Sequence, residues 1–170
     1  VTHRHYFSLV KDRLVLAARV GYQGTLAGDV PYYLLQNMNT FFQRRLFNEG
    51  LGGNTTIRGI LRNRIVSDGI GLANVELRWK FYKFRLIKQH FALALNPFFD
   101  AGMILKEQNP GLFESEPDYS DPVGKLHTSV GLGLKVIMNQ NFVVSVDFGK
   151  ALQKEDGNTG LYILLNYMFL

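Results

Sequence analysis

The sequence contains no cysteine, so it can form neither a disulfide framework nor a thiolate metal site. It also lacks any run of 18 or more apolar residues, the length that a membrane-spanning helix requires. Its 170 residues are enough for one domain with a hydrophobic core. An apolar content of 46% excludes a helical membrane protein but remains compatible with strands in which apolar and polar residues alternate.

Charge and aromatic content narrow the class of protein further. The net charge of +5 and the pI of about 9.5 have three possible explanations. The positive charge could simply keep the protein soluble, attract an anionic partner, or contact charged lipid headgroups. Thirteen Phe, eight Tyr and 17 Gly favour an all-β chain with close backbone contacts.

Period-two alternation is the dominant pattern, and residues 73–82 show it most clearly. The apolar set on one face is Ala73, Val75, Leu77, Trp79 and Phe81. The more polar set on the other face is Asn74, Glu76, Arg78, Lys80 and Tyr82. A helix would mix the two sets, whereas a strand separates them, so the sequence predicts a strand here.

The same alternation recurs along the chain and predicts about seven strands, most of them about ten residues long. The other predicted strands cover 4–10, 14–23, 93–102, 129–138, 142–149 and 160–169. Ten residues in a tilted strand are enough to cross a bilayer.

The connections between these strands alternate in length. Those near 10–12 and 139–141 are tight, and 83–89 is moderately short, whereas 24–71 and 105–125 are long and 153–159 is polar. Short turns on one side and long loops on the other are typical of an outer-membrane β-barrel.

The longest connection, 24–71, is too long and too apolar for an idle loop, so we expect it to fold onto the rest of the protein. It contains an apolar-aromatic patch at 32–35, a predicted short helix at 40–47 and a glycine-rich stretch at 51–54.

A soluble, lipocalin-like barrel is the main alternative, because it has the same alternation with the apolar face inward. Two features favour the membrane barrel. The polar face is rich in Gly and Ala, which suits a crowded lumen, and the apolar face ends in large aromatics, as interfacial girdles do. Those aromatics are Trp79, Phe81, Tyr167 and Phe169.

Three charged residues occupy informative places. Glu76 and Asp100 fall on the inward faces of neighbouring predicted strands, and Arg58 lies in the long loop, where it could pair with one or both carboxylates. Gly59 would allow a close backbone approach or a positive φ, and Gly102 would leave room for the arginine stem. The spacing alone fits a second interpretation equally well. In it, Arg58 is a loop residue exposed to solvent, and the two carboxylates only make the lumen polar.

A family resemblance favours the paired arrangement. Residues 51–59, L-G-G-N-T-T-I-R-G, resemble the signature loop of the BamA/TamA-type superfamily of outer-membrane assembly and secretion barrels, the bacterial surface antigen family. Residues 62–66 and 74–78 follow as that family's pattern requires, and Phe99-Asp100-Ala101-Gly102 resembles the strand motif that receives the loop arginine. The segments 129–138 and 142–149 match its next strands in order and spacing.

The resemblance implies an all-β fold, an antiparallel transmembrane β-barrel. Residues 1–170 would supply the last seven or so of sixteen strands, with loop 24–71 folded into the lumen. Arg58, Gly59, Glu76, Asp100 and Gly102 would lock that loop, Gly52 and Gly53 would be its turning glycines, and Tyr167 and Phe169 would act as the C-terminal sorting signal. Two departures are Ile60, where the family usually has Phe or Tyr, and a terminal Leu170 in place of an aromatic residue.

The function implied is an outer-membrane protein assembly or insertion factor with a lateral seam, and not an enzyme. Its partners would be outer-membrane lipids including lipopolysaccharide, unfolded outer-membrane protein clients and periplasmic accessory proteins, with no cofactor. We expect an export signal, the earlier strands and any periplasmic domains to lie upstream of Val1. Without the first strand, the chain would expose two strand edges. A secretion pore or anchor barrel of the same superfamily and a soluble ligand-binding barrel remain the alternatives.

The sequence offers few other candidate catalytic or binding sites. His3 and His5 share one strand face and could bind a metal, but no third ligand is evident, and His90 and His127 look structural. The glycines at 131 and 133 lie within a strand, which excludes a phosphate loop. No nucleophile elbow and no aromatic-basic stripe for nucleic acid are visible.

Overall fold

The computed structural model describes residues 1–28, 38–42, 45–106, 122–139 and 141–168. Within these ranges the chain forms nine strands: β1 Thr2–Val10, β2 Leu14–Gly24, β3 Met38–Phe42, β4 Arg45–Glu49, β5 Gly69–Leu86, β6 Gln89–Lys106, β7 Leu126–Met138, β8 Phe142–Ala151 and β9 Thr159–Leu165. The described part contains no helix long and apolar enough to cross a membrane.

Seven of these strands form one antiparallel sheet in the order β1-β2-β5-β6-β7-β8-β9. Neighbours in this sheet are consecutive strands of the chain, except that β3 and β4 lie between β2 and β5 and form a separate hairpin. The predicted all-β, antiparallel architecture with seven main strands is therefore confirmed.

The β3–β4 hairpin lies where the sequence predicted a short helix at 40–47, so that prediction was wrong. Thr40 pairs with Phe47, and Phe41 pairs with Leu46. Threonine and phenylalanine favour extended backbone, and their strand propensity outweighs the weak helical pattern of this segment. The apolar patch at 32–35 lies outside the described residues.

The strands β5 and β6 are longer than predicted, with 18 residues each. Most of the connection expected at 83–89 is strand, and only Ile87 and Lys88 form the turn, with φ of +48° and +62°. Two positive φ values match the two-residue hairpin turn whose twist suits antiparallel strands. The stacked rings of Phe84 and Phe91, a directly opposed pair with centroids 5.3 Å apart, stabilise the extension.

The sheet has two chemically different faces. On β5, Val75, Trp79 and Phe81 are 40–47% exposed, whereas Asn74 and Glu76 on the opposite side are fully buried. We call the first side the outer face and the second the inner face. An exposed apolar face and a buried polar face are the pattern of a barrel that contacts lipid, and the reverse of a lipocalin-like barrel.

Residues 50–68 of the long connection pack onto the inner face, at the end of the sheet where the long connections leave. Their apolar side chains join those of β5, β6 and β8 in one buried cluster: Leu51, Ile57, Ile60, Ile65, Ile70, Leu72, Ile104 and Ala151. Full burial of one isoleucine contributes on the order of 1.5–3 kcal/mol. This packing holds the loop segment in a fixed place above the strands.

The last strand is shorter than the predicted 160–169. The strand β9 ends at Leu165, and Asn166 adopts a φ of +73° that turns the chain. Tyr167 then packs against the inner-face cluster that contains Ala94, Ile137 and Val143. The expectation that Tyr167 faces outward as part of an aromatic girdle was therefore wrong.

Candidate functional site

The centre of the inner face is an ion cluster built around Arg58. The Arg58 guanidinium donates from Nε to Asp100 Oδ2 over 2.9 Å and from Nη2 to Asp100 Oδ1 over 3.0 Å. The backbone N–H of Arg58 also donates to Asp100 Oδ2, over 3.1 Å. One carboxylate on β6 therefore binds both the side chain and the backbone of the loop tip.

Two further carboxylates complete the surroundings of the guanidinium. Arg58 Nη1 lies 2.8 Å from Glu76 Oε1 on β5 and 3.2 Å from Asp147 Oδ2 on β8. The Phe98 ring lies under the guanidinium, with Cζ of Arg58 3.4 Å from its centroid. The side chains of Arg58 and of all three acids are completely buried.

Two of these acids, Glu76 and Asp147, each bind a second cation through their other carboxylate oxygen. Glu76 Oε2 accepts from Arg78 Nε over 3.0 Å, and Asp147 Oδ1 accepts from Lys135 Nζ. Burial alone would lower the pKa of Arg58, but Asp100, Glu76 and Asp147 together raise it above its ordinary value. The guanidinium therefore stays charged, and the network of paired charges offsets the cost of burying them.

A second layer of contacts holds the loop backbone just before Arg58. The Asn74 amide donates from Nδ2 to the Thr56 carbonyl over 2.7 Å and to Asp100 Oδ1 over 2.8 Å. Arg19 on β2 donates from Nη2 to the Thr55 carbonyl and from Nε to Asn74 Oδ1, both over 2.8 Å. Buried carbonyls that would otherwise lack partners are satisfied by these two side chains.

Gly59 allows the loop to lie directly against β8. Its φ is +92°, and a Cβ added there would lie 2.7–2.9 Å from backbone atoms of Lys150, Gly149 and Ala151. Its N–H donates to the Tyr162 hydroxyl on β9 over 2.9 Å. Both a positive φ and a close backbone approach therefore occur at this one residue.

The loop glycines 52 and 53 shape the turn before the tip. Gly52 has a φ of +111°, and its N–H donates to the Thr56 hydroxyl over 2.8 Å. The Gly53 N–H, at a φ of +95°, lies 3.0 Å from the Ile57 carbonyl and 3.1 Å from the Ile60 carbonyl. These bonds fold residues 52–60 into a compact turn that presents Arg58 to the strands.

Gly102 serves a different purpose from the one expected. A Cβ added there would lie 2.5 Å from Ile57 Cδ1 and 2.8 Å from Leu51 Cδ1, so the space is used by these two side chains and not by the Arg58 stem. Ile60, which stands where the resembling family has an aromatic residue, is 2% exposed within the same apolar cluster.

The structure brings Arg58, Glu76 and Asp100 together and adds two residues that sequence reasoning missed, Asp147 and Lys135. Both lie on the polar face of predicted strands, and a charged residue at an inward position was the available signal. The glycines at 131 and 133 make room for this arrangement. A Cβ at Gly131 would meet the Phe98 ring, and one at Gly133 would meet Asp147 Oδ1.

The C-terminal segment also contacts this network. The ring centroid of Tyr167 lies 4.2 Å from Cζ of Arg78 and 5.7 Å from Nζ of Lys135. The next residue, Met168, is buried against Ala17 on β2. Phe169, the other residue expected in a sorting signal, lies outside the described residues.

The histidines give no metal site in the described ranges. His3 and His5 lie on the outer face with ring centroids 5.8 Å apart, and no described group of three or more His, Cys, Asp or Glu residues could hold a metal ion. His127 is completely buried, and its Nδ1 lies 2.8 Å from Asp156 Oδ2 in the β8–β9 connection.

A family model described as the Omp85 superfamily domain matches residues 1–166. No curated protein matches the chain. No solved structure matches it either.

Proposed function

This chain belongs to the Omp85 superfamily, and from that membership we propose that it is an outer-membrane protein assembly and insertion factor of the BamA/TamA type, not an enzyme. Members of the superfamily are outer-membrane proteins. Its location would be the bacterial outer membrane, its seven-stranded sheet would form part of a sixteen-stranded barrel, and its clients would be unfolded outer-membrane proteins, delivered with the help of periplasmic accessory proteins.

The observation that carries the proposal is the ion cluster that ties residues 50–68 to the inner face. Arg58 reaches acids on β5, β6 and β8, so a single loop residue links strands across the sheet. A loop fixed in this way stiffens the strands to which it is bound. The barrel can then open between its last strand and its first strand while these strands keep their arrangement.

The end of the sheet at β9 supports a lateral seam. Among the described strands β9 pairs only with β8, and in a sixteen-stranded barrel its other edge would lie at the seam, where backbone N–H and C=O groups can bind another strand. The strand has seven residues, against 18 in β5, and so forms fewer interstrand bonds. A client strand can add to such an edge by main-chain hydrogen bonding.

Site-specific cross-linking tests the proposal, and none of these 170 residues is a cysteine that would compete with the introduced one. A cysteine at Ile163 on β9 is compared with one at Val146 on β8, its direct cross-strand partner on the same outer face. Both variants are made in the native protein and mixed with an unfolded client that carries single cysteines along its last strand.

We expect disulfides between the client and Ile163→Cys, in one register, and few with Val146→Cys. Equal cross-linking at both sites would indicate mere proximity in the bilayer and would contradict strand addition. Absence of cross-links, together with ion conductance of the reconstituted protein, would favour the secretion-pore reading.

A further inference from the structure

We propose that a groove on the outer face binds one acyl chain of lipopolysaccharide. The groove crosses β2, β5, β6 and β7 and has a volume of about 300 Å³. Its main lining side chains are those of Val20, Tyr22, Ala73, Ala101, Met103 and Leu126. The inference rests on the proposed outer-membrane location, since it needs lipid at the outer face.

The groove exists because small residues lie between large ones in adjacent strands. In one cross-strand row Tyr22 is opposite Gly71, which is opposite Met103. In the next row Val20 is opposite Ala73, which is opposite Ala101. Side chains on the same face of neighbouring strands lie about 5 Å apart. Gly71, Ala73 and Ala101 have small or no side chains, so they form the bottom of the groove, and the larger neighbouring side chains form its sides.

The chemistry of the groove fits a hydrocarbon chain. Apart from the Tyr22 hydroxyl, the side chains that line it are apolar, and Val75 and Phe99 are exposed on the same face of the sheet. An unfilled space in hydrocarbon loses dispersion contacts on every wall. A groove volume of about 300 Å³ is large enough for a segment of one acyl chain.

The position of the groove selects the leaflet. It lies where β2 ends and β5 begins, the end of the sheet from which the long connections leave. Long loops mark the external side of an outer-membrane barrel, so the groove faces the outer leaflet, which contains lipopolysaccharide.

Lys106 adds a charge that suits a phosphorylated headgroup. It follows the groove residue Leu105 at the end of β6, and its side chain is 46% exposed. Its ammonium lies 3.8 Å from Asp68 Oδ2, which is too long for a hydrogen bond and leaves its donors available for a phosphate.

Native mass spectrometry of the purified native protein, titrated with deep-rough lipopolysaccharide or with phosphatidylglycerol, tests the inference. Ala101→Phe fills the groove, and Ala18→Phe makes the same change on the outer face of β2 outside it. Heat-modifiable gel mobility verifies that each variant is folded. If Ala101→Phe does not fold, Ala73→Val fills the same floor with less volume.

We expect the groove variant to bind lipopolysaccharide about threefold more weakly or worse, because several chain contacts are lost, while Ala18→Phe binds as the native protein does. Lys106→Ala should weaken lipopolysaccharide binding more than phosphatidylglycerol binding. Equal binding by the groove and control variants, or equal affinity of the native protein for both lipids, would overturn the inference. Failure of client cross-linking at Ile163 would instead count against the proposed function alone.

Discussion

The carboxylate of Asp100 binds the backbone N–H and the guanidinium of the same residue, Arg58, through three hydrogen bonds of 2.9–3.1 Å. A bidentate ion pair alone would fix the side chain and leave the loop backbone free to shift. The added backbone bond fixes the position of the loop tip relative to β6. Because both groups are completely buried, the arrangement depends on every partner being present.

We predict that Arg58→Ala lowers the thermal stability of the barrel and the proposed assembly activity. The substitution leaves three buried carboxylates without their central cation, a change that typically costs about 3–5 kcal/mol. Arg58→Lys is the matched control for charge, and it should recover only part of the loss because one ammonium cannot reproduce the planar fork. The midpoint of heat modifiability and the rate of client insertion measure the two effects. Unchanged melting together with unchanged insertion by Arg58→Ala would refute the role of the cluster.

Asp100→Asn should destabilise the protein more than Glu76→Gln, although both changes remove one buried charge. Asp100 accepts from three groups of Arg58 and from Asn74, whereas Glu76 accepts one bond each from Arg58 and Arg78. Each lost bond to a charged group is worth about 1.5–3 kcal/mol. Urea-induced unfolding in lipid vesicles compares the two variants. The reverse order of stabilities would mean that β5 and not β6 provides the main anchor.

The sequence was sufficient to predict the strands and the inward direction of Glu76 and Asp100, because a period of two assigns each residue to a face without any tertiary information. Pairing of these acids with Arg58 was a harder inference, since a loop carries no periodicity. Asp147 was visible as an inward charge on β8, yet its distance from Arg58 depends on how far the loop reaches across the sheet. That reach is fixed by the packing of Ile57 and Ile60, which no local pattern reveals.

The wrong expectations have local causes as well. In the sequence, Tyr167 continues the alternation of β9. In the structure, the positive φ of Asn166 ends the strand and turns the Tyr167 ring inward. Asparagine tolerates that conformation better than most residues, which was the available signal. Gly102 was read as space for the nearest charged residue, whereas an apolar cluster fills it.

We predict that Asp156 is a second attachment point for the loop, independent of Arg58. Its backbone carbonyl accepts from the Leu61 N–H over 2.9 Å, and its buried carboxylate is held by His127 over 2.8 Å. Asp156→Ala should leave His127 without this partner and expose the amides near Leu61 to faster hydrogen exchange, while the amide of Arg58 stays protected. Glu155→Ala, an exposed neighbour, is the control. Equal exchange at Leu61 in both variants would show that the carboxylate of Asp156 is not required.

We predict that Gly59→Ala displaces the loop, whereas Gly53→Ala is tolerated at moderate cost. Both glycines have a positive φ, +92° and +95°, so an alanine pays a similar conformational cost of about 1–2 kcal/mol at either position. The surroundings differ. A Cβ at Gly59 would lie within 2.9 Å of the β8 backbone, which cannot move aside, whereas a Cβ at Gly53 has Arg62 Cγ at 3.5 Å as its nearest neighbour. Gly59→Ala should therefore reduce the heat-modifiability midpoint much more than Gly53→Ala and also release the Arg58 amide to hydrogen exchange. Similar midpoints for the two variants would mean that conformational strain alone, and not contact with β8, sets the requirement for glycine at the loop tip.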